Sequence, residues 1–344
     1  MKHQRHALKM DRYPVNANCF QPLRPARLVF LCLILLVGLT AASTALASEG
    51  ATSDYTPGSF GDFTMNIIQP GLSVRENVMY LYGTVDDLPP AYGISSVKLE
   101  MTAWVDLVQA VWATKDFKLL GGRYFANINI PVGFSGELKQ TVAPPLDAYS
   151  LKDTTSGLGD IQAVPFGLAW DMGDFHFMAA ENIIIPTGVY DVNDAANMGR
   201  NYWGYDTLFG FTWLDPKRGH EVSFTAGYIF NQENDKTHYK TGDEFHLDYT
   251  LAQYLSEEVG LGLVGYYYKQ TTADSGTGYD TFNANFDNRL GGYKSTGGAV
   301  GPAFLWAPKV GGRPLNLIAK WLWEYEGTNR FKGGAVYISA AMTF

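Results

Sequence analysis

Alternation of apolar and polar residues over segments of roughly ten residues is the dominant pattern of this chain. In residues 315–325, Trp321, Trp323 and Tyr325 share one face with apolar residues, whereas Lys320 and Glu324 fall on the other. Successive side chains of a strand point to opposite faces, so the pattern predicts β-strands. An apolar face opposite a mixed face is typical of a strand that crosses an outer membrane.

The alternation predicts about twelve strands. Short connections such as 172–173 alternate with long polar ones such as 134–157 and 271–293. Short turns at one rim, taken as periplasmic, and long loops at the other indicate an all-β, antiparallel, up-and-down transmembrane β-barrel. The predicted strands cover residues 62–83, 94–113, 117–133, 158–171, 174–187, 203–214, 220–231, 243–255, 258–270, 294–306, 314–326 and 334–344.

The first part of the chain has the three parts of a secretory signal peptide. Arg24 and Arg27 precede the apolar run 28–39, and small residues follow, ending in Ala45-Leu46-Ala47. The run is too short to span a bilayer comfortably, which makes an N-terminal membrane anchor the weaker alternative. We therefore expect a signal peptide over 1–47, a short N-terminal segment over 48–60 and the barrel over 61–344.

Charge and cysteine content argue against several kinds of partner and site. The chain has a formal net charge of −8, and removal of the basic signal peptide makes the remainder more acidic still, which argues against a nucleic-acid partner. Cys19 and Cys32 both lie in the part predicted to be removed, which excludes a disulfide scaffold and a cysteine-ligated metal site. The remaining histidines form no metal-spaced cluster, so we expect neither a metal nor a cofactor.

The final strand pattern predicts two partners. Val336, Ile338 and Met342 alternate with polar and small residues, and the chain stops on Phe344. This resembles the terminal-strand signal that the barrel-assembly machinery of the outer membrane reads. A soluble β-sandwich would share the alternation, but tryptophans and tyrosines near strand ends are typical of the aromatic girdles at bilayer interfaces. We therefore expect outer-membrane lipid to surround the barrel.

Polar and charged residues on the faces turned away from lipid are the candidates for lining the lumen. Both signs of charge occur there, so these side chains can pair across the wall or line a polar path. With the amide and indole groups among them, they suit a small, partly apolar solute such as an aromatic compound. The candidates are Lys98, Glu100, Trp104, Asp106, Arg123, Asn127, His246, Asp248, Lys320 and Glu324. On the second strand, this assignment turns Leu99, Met101, Ala103 and Val105 toward lipid.

Enzymatic interpretations find little support. The sequence Gly260-Leu261-Gly262-Leu263-Val264-Gly265 matches a dinucleotide-binding motif but lies inside a strand, where that motif does not function. His246 and Asp248 form a His–Asp pair that is either catalytic, a protonation gate or a hydrogen-bonded pair in the lumen. No histidine has a serine two positions later, and Gly-x-Ser-x-Gly is absent. We therefore expect a protein that is not an enzyme.

Short motifs carry a resemblance to a known family. Gly157-Leu158-Gly159-Asp160 is followed by Pro165 and Trp170, and later come Ile185-Pro186-Thr187-Gly188 and Gly204-Tyr205-Asp206. With the closing strands, these motifs resemble the "MetA-pathway of phenol degradation" outer-membrane proteins. The resemblance covers roughly residues 57–344. It implies an outer-membrane location and a transport-like role beside aromatic or hydrocarbon catabolism, with no catalytic residues to transfer.

Three functional hypotheses remain. The first is an uptake channel for small hydrophobic or aromatic compounds. The second is a non-transporting surface or structural barrel with a blocked lumen, in which the long loops bind partners. The third is an outer-membrane hydrolase that uses His246 and Asp248. An open lumen of water width favours the first hypothesis, and a filled lumen favours the second.

Overall fold

The computed structural model of the protein describes residue Glu49 and residues 53–85, 97–142, 149–284 and 292–344. The predicted signal peptide, its cleavage after Ala47 and the predicted connection 86–93 lie outside the described residues. The strands are β1 (Gly71–Val85), β2 (Val97–Leu119), β3 (Gly122–Val142), β4 (Tyr149–Leu158), β5 (Ile161–Met172), β6 (Phe175–Ile185), β7 (Gly204–Asp215), β8 (His220–Asn231), β9 (Glu233–Asn234), β10 (Tyr239–Lys240), β11 (Glu244–Tyr254), β12 (Val259–Gln270), β13 (Thr296–Trp306), β14 (Lys309–Val310), β15 (Arg313–Thr328) and β16 (Lys332–Thr343), and the helix is α1 (Thr277–Ala284).

The long strands pair antiparallel in sequence order and close into a barrel. β4 and β5 together occupy one position in the wall, whereas β9 and β10 form a separate hairpin and β14 pairs only with β15. The ring closes between β1 and β16, where Val78 lies opposite Ile338. The predicted twelve-strand barrel is therefore confirmed. Closure gives each of the twelve positions in the ring a neighbour on both sides, which a sheet needs in lipid because an open edge leaves backbone groups unpaired.

The first hairpin turn lies further along the chain than its sequence pattern suggested. The predicted turn at 114–116 is only an interruption of the pairing register between β2 and β3. The chain turns instead at Leu120 and Gly121, whose φ angles of 52° and 78° suit a two-residue hairpin turn. Leu120 is 83% exposed at this rim. It belongs to the turn, although the predicted third strand, residues 117–133, included it.

β2 and β3 are much longer than a membrane crossing requires. β2 has 23 residues and β3 has 21, against the roughly 9–11 residues of a typical transmembrane strand. The predicted long loop 134–157 is therefore mostly strand, because β3 continues to Val142 and β4 begins at Tyr149. Beneath the loops, a hydrophobic cluster lies inside the barrel at this end. Its buried members are Val85, Leu99, Tyr239, Tyr279, Phe282, Tyr293 and Phe331.

β15 has the two faces that its sequence predicts. Trp321 and Trp323 are 52% and 65% exposed, whereas Lys320 and Leu322 between them are buried. β11 behaves in the same way, with an exposed Leu251 and a buried His246. These strands turn aromatic and aliphatic side chains outward and polar side chains into the lumen. Among the described helical residues, no segment is both long and apolar enough to cross a bilayer.

The chain before β1 lies inside the barrel. The predicted first strand began at residue 62, but β1 starts at Gly71, where a φ of 109° turns the chain from the lumen into the wall. Residues 53–70, which we call the inner segment, occupy the lumen. Glu49 contacts Thr241 near the loop rim, and Ile68 contacts Arg123 near the turn rim. The inner segment thus descends through the barrel from one rim to the other.

Candidate functional site

The upper part of the inner segment is held by a buried cluster around His246. The Tyr55 ring stacks on the His246 imidazole with 4.4 Å between centroids, and its hydroxyl donates to Asp248 Oδ2 at 2.7 Å. Phe60 also lies against the imidazole, at 5.5 Å. His246 Nε2 is 3.1 Å from Asp206 Oδ1 on β7. His246 and Asp248, which were predicted to line the lumen, therefore contact side chains of the inner segment.

Lys320 fastens the middle of the inner segment. Its ammonium donates to the carbonyl oxygens of Gly58 at 2.8 Å and Gly61 at 2.7 Å. It also lies over the Tyr337 ring, 4.6 Å from the centroid. The Tyr337 hydroxyl in turn donates to the Pro57 carbonyl. Burial of a lysine costs free energy unless its N–H donors have acceptors. These contacts therefore stabilise the conformation of the inner segment that places the two carbonyl groups beside Lys320.

The lower part of the inner segment closes the lumen on the side of β7, β8 and β11. Asp62 forms an ion pair of 2.7 Å with Arg75, and the backbone N–H of Thr64 donates to Glu221 at 2.8 Å. The Asn66 amide donates to carbonyls on β7 and β8 at 3.1 Å and 3.0 Å. Thr225 donates to its amide oxygen at 2.9 Å. This half of the lumen is filled by protein.

A cavity of about 340 Å³ remains between the inner segment and the opposite wall. Its size falls in the range of small-molecule sites. Asp54 and Tyr55 of the inner segment lie on one side, beside residues of the loop between β6 and β7. The wall that faces them is apolar and comes from β1 and β2. Its apolar members are Met79, Leu81, Met101, Ala103, Val105 and Leu107.

The loop between β6 and β7, residues 186–203, folds over this cavity. The Asp160 carboxylate accepts hydrogen bonds from the backbone N–H groups of Gly188 at 2.8 Å and Arg200 at 2.6 Å. Asp153 accepts two more, from Ala195 at 2.8 Å and Ala196 at 2.9 Å. Two wall carboxylates thus hold the loop inward. Asp160 belongs to the Gly157–Asp160 motif, which gives that motif a structural role.

Burial dominates the electrostatics of the cavity. It raises the pKa of the Asp54 carboxyl well above its ordinary value, and the negative charges of Asp160 and Glu244 raise it further. Burial also raises the pKa of the Tyr190 hydroxyl to about 12, with the Glu49 charge adding to the rise. The cavity lining also carries more acidic than basic side chains, namely Glu49, Asp54, Glu137, Asp160, Asp194 and Glu324 against Arg200 and Arg330.

Six of the ten predicted lumen residues face the lumen. His246, Asp248 and Lys320 contact the inner segment directly, as described above. Arg123 donates to the Ile68 carbonyl at 2.7 Å and forms an ion pair of 3.1 Å with Asp171. Glu324 accepts hydrogen bonds from the Tyr266 hydroxyl and the Gly333 N–H. Asn127 lies on the inward face of β3, and its Oδ1 has no partner among the described residues.

The other four assignments, all on β2, are wrong because the two faces of that strand were exchanged. Trp104 is 49% exposed on the outer surface, and Asp106 shares its face. Lys98 and Glu100 form an exposed ion pair on the same face, near the loop rim. The inward face carries Leu99, Met101, Ala103 and Val105, which were predicted to face lipid. The interior is apolar here because the cavity wall and the cluster beneath the loops both draw on β2.

Several residues that build the site were not predicted. Those of the inner segment have no alternating pattern that separates them from an ordinary loop. Asp206 and Glu221 were visible in the sequence, since the alternation on β7 and β8 turns both inward. Asp206 even lies in a family motif. The residues missed are Asp54, Tyr55, Asp62, Asn66, Asp206 and Glu221.

The geometry around His246 does not form an active site in this conformation. His246, Asp206 and Asp248 are fully or almost fully buried, and Tyr55 and Phe60 cover the imidazole. A substrate could reach the ring only after the inner segment moved. Within the described residues, no group of three or more histidine, cysteine and acidic side chains is placed to hold a metal ion.

Comparison with known proteins identifies the family. The model of the family described as "Putative MetA-pathway of phenol degradation" matches residues 86–340, which is well over half of the chain. The chain belongs to this family. No curated protein sequence matches this family member.

Solved structures confirm that this family member is an outer-membrane barrel. It is similar to the COG4313 outer membrane channel from Pseudomonas putida F1, with a TM-score of 0.61 and 13% identity, over 85% of this chain and 100% of the other. A FadL homologue from Pseudomonas aeruginosa has a TM-score of 0.35 and 10% identity, over 89% and 98%. That second similarity is too weak to inform on function. The fold is that of an outer-membrane β-barrel, which places the protein in the outer membrane.

Proposed function

We propose that this protein is an outer-membrane uptake channel for small hydrophobic compounds, aromatic compounds above all. The cavity supports this most directly, because an apolar wall faces a polar one inside a membrane barrel. The channel fold and the phenol-degradation description of the family agree with the proposal. Passage requires the inner segment or the 186–203 loop to move, since both obstruct the lumen.

The filled half of the lumen favours a second candidate, a barrel that does not transport. Lys320, Asn66 and the His246 cluster hold the inner segment through many buried contacts. In that case the protein would act through its loops. The two candidates differ in one observable property, which is whether the presence of the protein speeds the entry of a solute.

Uptake by whole cells separates them. Radiolabelled toluene would be given to cells with an intact lipopolysaccharide layer that express wild-type protein, Ala103→Trp or Ala110→Trp. Ala103 lines the cavity, whereas Ala110 lies on the lipid face of the same strand between Val108 and Trp112. We expect several-fold faster uptake with wild type and Ala110→Trp, and background uptake with Ala103→Trp, which fills the cavity.

Folding of each variant is checked by its migration on gels before and after heating. Wild-type uptake no faster than that of cells without the protein would refute the channel and favour the non-transporting barrel. Equal uptake by the two tryptophan variants would place the route somewhere other than this cavity.

A further inference from the structure

Arg330 lies in the short connection between β15 and β16, and its side chain lines the cavity. That side chain is only 10% exposed. Its Nε and Nη1 have no hydrogen-bond partner among the described residues, and its Nη2 comes no closer than 4.0 Å to the Glu324 carboxylate. A guanidinium has five N–H donors, and their burial without acceptors costs free energy. The arrangement therefore favours an acceptor atom that a solute in the cavity supplies.

The guanidinium of Arg330 is held by packing and by charge. It lies over the Tyr268 ring, 4.6 Å from the centroid. A Cβ atom on Gly297 would lie 2.9 Å from Nη1, so only glycine leaves room for the guanidinium there. Glu324 supplies the opposite charge, but its carboxylate accepts its hydrogen bonds from a tyrosine hydroxyl and a backbone N–H, as described above. The charge of Arg330 is thus balanced while its donors stay available.

Apolar side chains adjoin this charged pair. Leu322 lies two positions before Glu324 on the inward face of β15, and Ala335 lies opposite Leu322 on β16. Leu81 of β1 lies opposite Ala335 in turn. All three line the cavity, and Leu81 continues into the apolar wall described above. The Arg330 end of the cavity therefore combines hydrogen-bond donors with an apolar surface.

From this arrangement, and resting on the proposed uptake function, we infer that the cavity prefers neutral solutes that carry an acceptor oxygen on an apolar body, such as ketones and esters, and that Arg330 recognises this oxygen. A carbonyl oxygen accepts hydrogen bonds and donates none, which matches a guanidinium that only donates. The apolar body would pack against Leu81, Leu322 and Ala335. The solute is neutral because Glu324 already balances the Arg330 charge.

Charged solutes and plain hydrocarbons fit this end of the cavity less well. A carboxylate would bond to Arg330 but add a negative charge beside Glu324, in a cavity whose ionisable lining is mainly acidic. An ammonium group would pair with Glu324 but meet the Arg330 charge and offer no acceptor. A plain hydrocarbon would fill the apolar part and leave the guanidinium donors unmatched, which a site built for hydrogen bonding penalises.

Arg200, the other arginine of the lining, has different surroundings. It is only partly buried, and its charge acts on the carboxylates of Glu49, Asp54 and Asp160. The charge of Arg330 acts instead on Glu324 and on three tyrosine hydroxyls. Arg200 therefore has several carboxylates and water to compensate it, and the recognition of a solute oxygen is assigned to Arg330.

A matched series of ligands tests the inference. Acetophenone and α-methylstyrene share one shape and differ only in C=O against C=CH2, whereas benzoate and benzylamine carry a negative or a positive charge beside the ring. Binding would be measured by calorimetry on full-length protein in detergent, with a protein-free blank that subtracts partition into micelles. We expect wild type to bind acetophenone at least about tenfold more tightly than the other three, because a hydrogen bond to a charged group adds about tenfold or more.

Arg330→Met removes the donors and keeps an apolar stem. Its acetophenone binding should fall by about tenfold, to the level of α-methylstyrene, whose own binding should not change. Arg200→Met removes the other arginine of the lining, and Lys309→Met changes the exposed β14. Both variants should keep the wild-type preference. Migration on gels before and after heating checks that each variant is folded.

Equal binding of acetophenone and α-methylstyrene by wild type would overturn the inference without any variant. Equal losses in Arg200→Met and Arg330→Met would also overturn it, because the charge of the whole cavity would then set the preference. Tightest binding of benzoate would replace it with an anion site, and tightest binding of benzylamine with a cation site at Glu324. The proposed function fails separately, since acetophenone preference without faster uptake removes the channel and leaves the site, whereas fast toluene uptake without that preference does the reverse.

Discussion

Several charged side chains in the lumen bind backbone groups of irregular segments. Lys320 donates to two carbonyl groups, Glu221 accepts from the Thr64 N–H, and Asp160 accepts from two loop N–H groups. Hydrogen bonds to charged groups are the stronger class, and they lose most when one partner is removed. Each such residue therefore holds an irregular segment in place, because that segment lacks the backbone hydrogen bonds that join neighbouring strands.

Replacement of Lys320 by Met should loosen the inner segment. The change removes both bonds to the Gly58 and Gly61 carbonyls, which we expect to lower the local opening free energy by about 2–3 kcal/mol. Hydrogen–deuterium exchange of amides 56–66 would then be faster than in wild type. Lys309→Met, in the exposed β14, should exchange at the wild-type rate. Unchanged exchange in Lys320→Met would mean that the ring stacking at Tyr55 holds the segment without the lysine.

Two elements, the inner segment and the 186–203 loop, narrow the lumen to the cavity described above. Neither pairs with the wall as a strand does, and wall carboxylates provide the anchors of the loop. Close packing adds to this, since a Cβ atom on Gly133 would lie 2.1 Å from the Met198 sulfur. Elements held by a few side chains open more easily than strands in a ladder.

The loop should be released by Asp153→Ala. This change removes the acceptor for the Ala195 and Ala196 N–H groups, and we expect a larger single-channel conductance in planar bilayers than for wild type. Asp235→Ala, an exposed acidic residue in the β9–β10 hairpin region, removes the same charge without touching the loop anchors. Conductance that rises equally in both variants would indicate an effect of charge alone.

The whole molecule is stabilised by lipid around its outer face and by a packed interior that combines buried polar side chains with hydrophobic clusters. Outward leucines and aromatic residues match the bilayer, and the closed ring leaves no strand edge exposed to it. The energetic cost of a charged substitution should therefore depend on depth in the membrane, even where two residues are equally apolar.

Leu263→Lys tests this dependence. Leu263 is 46% exposed on the lipid face near the middle of β12, and a lysine there should lower the free energy of unfolding by about 2–4 kcal/mol. Leu120→Lys places the same change in the turn at the rim, where we expect about 0–1 kcal/mol. Urea unfolding in lipid vesicles measures both. Similar values for the two variants would contradict the placement of the membrane around β12.

Sequence reasoning worked where each face of a strand meets one kind of surroundings. On β15 and β11 lipid lies outside and the charged groups lie inside, so the alternation put Lys320, Glu324, His246 and Asp248 on the inward face, where the structure has them. Their role toward a solute stays a prediction. It failed on β2, because the outward face of this strand contacts lipid and its inward face contacts the apolar cavity wall and the hydrophobic cluster. Neither face is therefore distinguished by polarity alone. Lys98 and Glu100 are charged because this end of β2 extends beyond the membrane into water, and not because they face the lumen.

The period of the pattern, the number of strands and the outer-membrane location followed from the sequence alone, because they depend on local alternation and on the demands of lipid. The contents of the barrel did not. Contacts such as Tyr55 with His246 and Asn66 with β7 join residues more than a hundred positions apart, and no local pattern encodes them. Only the closed ring brings these residues together, so the tertiary structure decided which part of the lumen is filled and where a solute has room.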